Sequence, residues 1–144
     1  MNKLKTQVHF FILNKSNDLE KSICQIIKIY YKQKYKIVVK TNDKTLLSNL
    51  DAMLWTFEQI SFIPHCTRDN FDKDASVLLC DDKYDYDADN YNVLFNLNME
   101  EKEKNNDFQI LIEIVTQNKS QKDYAREKYT YYKNNNLDIK YENL

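Results

Sequence analysis

No glycine occurs anywhere in the 144 residues. That absence removes every phosphate-cradling loop built on glycine, GxxxxGK[ST] and GxGxxG included, and with them the Gly-x-Ser-x-Gly nucleophile elbow. A nucleotide-binding type of fold made from this chain therefore lacks the usual phosphate chemistry. What the chain has instead is rings, 11 Tyr and 7 Phe, and a balanced charge of 21 basic against 22 acidic groups. That balance excludes a generic polyanion binder; a nucleic-acid or acidic partner needs a local patch.

Apolar periodicity switches repeatedly between two and 3.6. Residues 7–13 (QVHFFIL) read as a buried strand, with Val8, Phe10 and Ile12 on one side and His9, Phe11 and Leu13 on the other. Asn17 offers a helix cap with Glu20 three residues on, and Leu19, Ile23, Ile26, Ile27 and Tyr30 mark one helical face ending near residues 32–34. A strand at 35–40 (YKIVVK) follows. A second helix begins at Asn42 or Asp43, with inner face Leu46, Leu47, Leu50, Met53, Leu54 and Phe57. Strand–helix–strand–helix order implies right-handed crossovers and a parallel sheet covered on its faces. Residues 67–76 read as a polar loop. Strands are expected at 77–80, 92–97 and 108–115, the last with Phe108, Ile110, Ile112 and Ile114 on one face. A last helix spans about 119–132 with Ser120 as cap, and the tail, 134–144, reads as loose, with Leu137 and Ile139 available to pair with another element. Length and the lack of repeats or linkers predict one domain over residues 1–144.

Two stretches stand out. Residues 50–65 (LDAMLWTFEQISFIPH) hold the only Trp, Trp55, and the only Pro, Pro64. Trp55 points away from the helix's apolar face, and with Phe62 and Pro64 it makes an aromatic surface of the kind that docks a partner; the competing reading is a minor core under a loop. In the last helix Lys122, Arg126 and Tyr129 fall at i, i+4 and i+7, giving a guanidinium that grips a carboxylate, an ammonium and a flat phenol on one face. That set suits an acidic peptide with a free carboxylate end; the competing reading is a solvated helix face. Residues 119–133 carry five cations against two anions, while 81–107 carry nine acidic groups against three Lys, so the chain is electrically lopsided.

Other constellations are weaker. Asp81, Asp82, Asp85, Asp87 and Asp89 invite a metal-dependent hydrolase or nuclease reading, and Asp85-x-Asp87-x-Asp89 mimics the start of a calcium loop. It lacks the Gly at position six and has Asn96 where Glu belongs at position twelve. His9, His65, Cys24, Cys66 and Cys80 lack zinc-ligand spacing, and the adjacent His65 and Cys66 make a poor nucleophilic pair. Direct single-stranded nucleic-acid binding through the Tyr-rich, basic last helix is a further alternative. An odd cysteine count without CxxC, and an N-terminal MNKLKTQVHF without a long apolar core, point to a reducing cytoplasm. No apolar run approaches the ~18 residues of a transmembrane span.

The two stretches, in this order, resemble the chi subunit of bacterial DNA polymerase III holoenzyme. Leu50, Asp51, Leu54, Trp55, Ser61, Phe62, Pro64 and His65 match that family's Leu-Asp-x-x-Leu-Trp and Ser-Phe-x-Pro-His pattern. Lys122, Ala125, Arg126, Tyr129 and Tyr132 match its C-terminal Lys-x-x-Ala-Arg-x-x-Tyr-x-x-Tyr pattern. The resemblance implies a three-layer, Rossmann-like α/β fold with a mostly parallel sheet and no catalytic residues, cofactor or metal. It implies a DNA replication adaptor with two partners. Trp55, Phe62 and Pro64 would meet a psi-like clamp-loader subunit. Lys122, Arg126 and Tyr129, with Val115 lining an apolar pocket, would hold the acidic C-terminal tail of single-stranded-DNA-binding protein. The chain departs from the family in lacking glycines after its helices, around Lys34 and residues 134–136.

Overall fold

The computed structural model describes residues 6–56, 63–104 and 107–144. Among them, seven parallel strands form one sheet in the order β3-β4-β2-β5-β6-β1-β7. The elements are β1 (Gln7–Ile12), α1 (Leu19–Lys32), β2 (Ile37–Lys40), α2 (Lys44–Thr56), β3 (His65–Thr67), β4 (Val77–Cys80), β5 (Val93–Asn96), β6 (Ile110–Val115), α3 (Lys119–Asn134) and β7 (Asp138–Asn143). The all-parallel sheet between two helical layers is the expected three-layer α/β fold. None of the described helices is long and apolar enough to cross a membrane.

The crossovers through α1 and α2 both run toward β3, so those helices share a face; the crossover from β6 through α3 to β7 runs the other way and lands on the opposite face. On the first face, Ile23, Ile26, Ile27, Leu46, Leu50 and Leu54 pack with Phe11, Val39, Phe95 and Ile112. On the second, Tyr132 packs with Phe10, Leu94, Leu111 and Val115. Neighbouring strands β1 and β6 thus send the chain to opposite faces, the switch point beside which open α/β sheets form their crevices.

Several local expectations are corrected. Asp18, not Asn17, caps α1 by accepting from Lys21 N at 2.9 Å, and Asn118, not Ser120, caps α3. Phe108 lies before β6 and packs on the α3 face beside Tyr86, not with Ile110, Ile112 and Ile114. The 67–76 loop opens with the end of β3 and a short 3-10 turn, 68–70. The tail is not loose: it pairs with β1 along all six residues of β7. Phe57 lies outside the described residues.

Both long-helix exits solve the missing-glycine problem the same way. After α1, Lys34 N donates to Tyr31 O and Tyr35 N to Tyr30 O; after α3, Asn136 N donates to Lys133 O and Leu137 N to Tyr132 O. These are Schellman closures, which need a left-handed residue that is usually Gly. Here Lys34 (φ 68°) and Asn136 (φ 61°) take it. Asn tolerates that region; Lys carries the steric cost of its Cβ.

Candidate functional site

The α3 groove is built by three elements. Helix α3 presents Lys122, Ala125, Arg126 and Tyr129; β1 supplies Phe10 and Ile12; the end of β6 supplies Val115; β7 supplies Tyr141. Together with Gln117 they enclose a groove of about 410 Å³. The four residues singled out from the sequence, Val115, Lys122, Arg126 and Tyr129, therefore meet at one place. Gln117 Nε2 donates to Leu13 O at 2.7 Å, tying together the two loops that diverge from β6 and β1.

The floor is apolar and the rim cationic. Val115 and Phe10 are buried, and Tyr129 stands 6.5 Å from the Phe10 ring, centroid to centroid. The Arg126 side chain is 78% exposed, and its Nη1 donates to Asp123 Oδ1 at 3.1 Å. Lys133 Nζ lies 5.7 Å from the centre of the Tyr129 ring, holding that ring from the outer side. An exposed ion pair such as Arg126–Asp123 is worth little and yields readily to a better carboxylate.

Phe10, Ile12, Gln117 and Tyr141 were not anticipated from the sequence. Strand alternation places Phe10 and Ile12 on one face of β1, and the pairing of β7 with β1 brings Tyr141 alongside. Lys128, one of the five cations of residues 119–133, is buried. Its Nζ donates to Glu113 Oε1 at 2.8 Å and to Asn98 O at 3.1 Å. Tyr132 OH donates to Glu113 Oε2 at 2.5 Å and accepts from Glu103 N at 2.9 Å, and Asn96 Nδ2 donates to Glu113 Oε2 at 3.0 Å. Burial pushes the Glu113 carboxyl up, against the pull of Lys128, Tyr132 and Asn96, and pushes the Tyr132 phenol up as well. A lone Glu inside the apolar FQILIEIV run, with Lys and Tyr four apart on the next helix, was the available signal.

The second surface lies at the end of α2. Trp55 is 58% exposed and meets the His65 ring edge-on at 5.1 Å. The His65 side chain is buried between two fixed partners: Nδ1 donates to Ile63 O at 2.7 Å, and Nε2 faces Asp51 Oδ1 at 3.0 Å. Pro64 is partly exposed beside it, and Ile63 is sealed in the core. Phe62 lies outside the described residues.

Several of the remaining candidates bond to the protein itself. Asp81 Oδ1 accepts from Lys83 N and Tyr84 N, and Asp87 Oδ1 accepts from Asp89 N, so these carboxylates close their own turns. Among the described residues no three His, Cys, Asp or Glu are grouped to hold a metal. At the carboxyl ends of β2 and β5, Lys40 pairs with Glu103 and lies 3.6 Å from Asp82, which Asn42 and Asn98 also bond. The protein's own side chains thus fill that edge. All three thiols are buried, and burial pushes Cys24 and Cys80 up to about 12, far from thiolate reactivity.

A family model described as DNA polymerase III chi subunit, HolC, matches residues 5–140, nearly the whole chain and both surfaces. The chain belongs to the DNA polymerase III chi subunit family. Its role is accordingly that of an accessory subunit in DNA replication. No curated protein matches the chain. In this chi-family fold the α3 groove and the Trp55 surface are carried by different helices on opposite faces of the sheet.

Proposed function

We propose that this chi-family protein is a non-catalytic, cytoplasmic replication adaptor, one domain over residues 1–144 that joins two proteins. The α3 groove takes the acidic C-terminal tail of single-stranded-DNA-binding protein. The surface around Trp55 and Pro64, with Phe62, takes a psi-like subunit of the clamp loader. DNA is reached only through the first partner.

The observation that carries the first half is the convergence of Val115, Lys122, Arg126 and Tyr129 on one groove with an apolar floor. An aromatic residue at a chain end fits that floor, and its terminal carboxylate falls to Arg126 and Lys122, two parallel donors and a point charge. Upstream acidic residues meet the cationic outer face of α3. A few exposed ion pairs with one buried ring give roughly 6–9 kcal/mol, micromolar binding that weakens as salt rises. For the second half, an exposed indole such as Trp55 is a side chain enriched among the few that dominate interfaces.

The test is calorimetric titration with a peptide ending Asp-Ile-Pro-Phe, once with its free carboxylate and once amidated, beside a bare single-stranded oligonucleotide. The free-acid peptide binds at micromolar concentration and the amide at least tenfold more weakly. Equal binding of the two peptides, or tighter binding of the oligonucleotide, would overturn the assignment.

A further inference from the structure

We infer that the buried Glu113–Lys128–Tyr132 network is a positioning device: it sets the rotation of α3 about its own axis and thereby aims Lys122, Arg126 and Tyr129 into the groove. This rests on the tail-binding reading of that groove and adds the residues that hold it in shape.

Helix α3 has a narrow apolar anchor: the Tyr132 ring packs beside Phe10, with Ala125 and Tyr131 partly buried against the same core. Of its 16 residues only Lys128 and Tyr132 are buried. Helix α1, by contrast, buries Ser22, Ile23, Cys24, Ile26, Ile27 and Tyr30 in its 14 residues. A stripe of packed aliphatic groups resists rotation through many contacts. For α3 the packing is confined to the Tyr132 ring and its partly buried neighbours Ala125 and Tyr131, and the directional bonds made by Lys128 and Tyr132 add the resistance that a wider stripe supplies elsewhere. They end on Glu113, central in β6, and on the segment after β5, at Asn98 O and Glu103 N. Asn96, at the end of β5, holds the second carboxylate oxygen in place and also bonds Glu101 O at 2.7 Å.

The geometry couples this anchor to the groove. At ~100° per residue, Lys128 and Tyr132 lie on one side of α3, and Lys122, Arg126 and Tyr129 on a side roughly 100° around. A roll of ~20° at a side-chain radius of ~6 Å moves the groove residues by about 2 Å. That is enough to lose bidentate geometry at Arg126, for which hydrogen bonds need about 2.7–3.2 Å. Ion pairs of this kind do not need to stabilise the fold; fixing one register among several is their best-attested use.

The decisive variant is the double replacement Glu113→Leu with Lys128→Met, which removes both charges together and so leaves neither buried alone. It is measured beside Tyr132→Phe and beside Ile27→Val, a control on the opposite face. Each is read by thermal melting, by titration at 10 °C with the free-acid peptide, and by the nuclear Overhauser contact between the Phe10 and Tyr129 rings. The double variant strands no buried charge but leaves the Tyr132 O–H without its acceptor, so it still unfolds cooperatively at a temperature somewhat below the parent's; it binds the peptide at least fivefold more weakly and loses the ring contact. Tyr132→Phe shows a two- to threefold loss. Ile27→Val melts lower yet binds as the parent does. A double variant with parental affinity and an intact ring contact overturns the positioning role. If the parent itself fails to bind the peptide, the tail-binding reading falls; the ring contact then still decides whether the network sets the rotation of α3.

Discussion

The two faces of the sheet are covered by different means. On one, α1 and α2 press a continuous apolar layer onto Phe11, Val39, Phe95 and Ile112, each large side chain worth about 1.5–3 kcal/mol of burial. On the other, α3 is polar along most of its length and is attached through Lys128 and Tyr132 to a buried carboxylate. The first face supplies stability that tolerates small errors of fit. The second keeps its outer surface rich in charge and leaves an apolar groove open between α3 and β7.

The contrast has measurable consequences. The largest is expected on the polar face, where Glu113→Leu alone strands the Lys128 ammonium in the core and lowers stability by about 3–5 kcal/mol in urea unfolding. Ile27→Ala on the apolar face costs about 2–5 kcal/mol, and in calorimetry at 10 °C it leaves peptide affinity where it was. Arg126→Ala does the reverse: peptide affinity falls about tenfold, ~1.4 kcal/mol, while the melting temperature stays within about 1 °C because the side chain is exposed. The smallest effect is a gain. Lys34→Gly relieves the left-handed backbone after α1 and raises stability by about 0.5–1 kcal/mol; the same change at Asn136 gains less.

Much of this was legible in the sequence, for definite reasons. Strands buried on both faces, such as VLLC, and the amphipathic stripe of α1 carry strong periodic signals, so the α/β order and parallel sheet could be read directly. The tail DIKYEN could not, because an edge strand with one partner and mostly exposed side chains has no apolar pattern to show. The three-residue β3 is too short to register. Of the groove, the helical contribution followed from i, i+4, i+7 spacing, whereas Phe10, Ile12 and Tyr141 join it only through strand pairing across more than a hundred residues. The burial of Lys128 is hidden for a related reason: helical spacing says which residues share a side, but not which charge finds a partner inside. The absence of glycine could be read as an exclusion of phosphate loops; that Lys34 and Asn136 would carry the left-handed positions required the Schellman hydrogen bonds to be seen.

The proposed adaptor role requires two separate surfaces, a cationic groove on α3 and an aromatic one at the end of α2. Chemical-shift mapping of the nitrogen-15-labelled protein with the free-acid Asp-Ile-Pro-Phe peptide tests it most directly. The prediction is a saturable shift of the Val115, Lys122, Arg126, Tyr129 and Tyr141 amides with the Trp55 indole unmoved. Shifts centred on Trp55 and His65, or on the Asp81–Asp89 turns, with the α3 amides still, would contradict it.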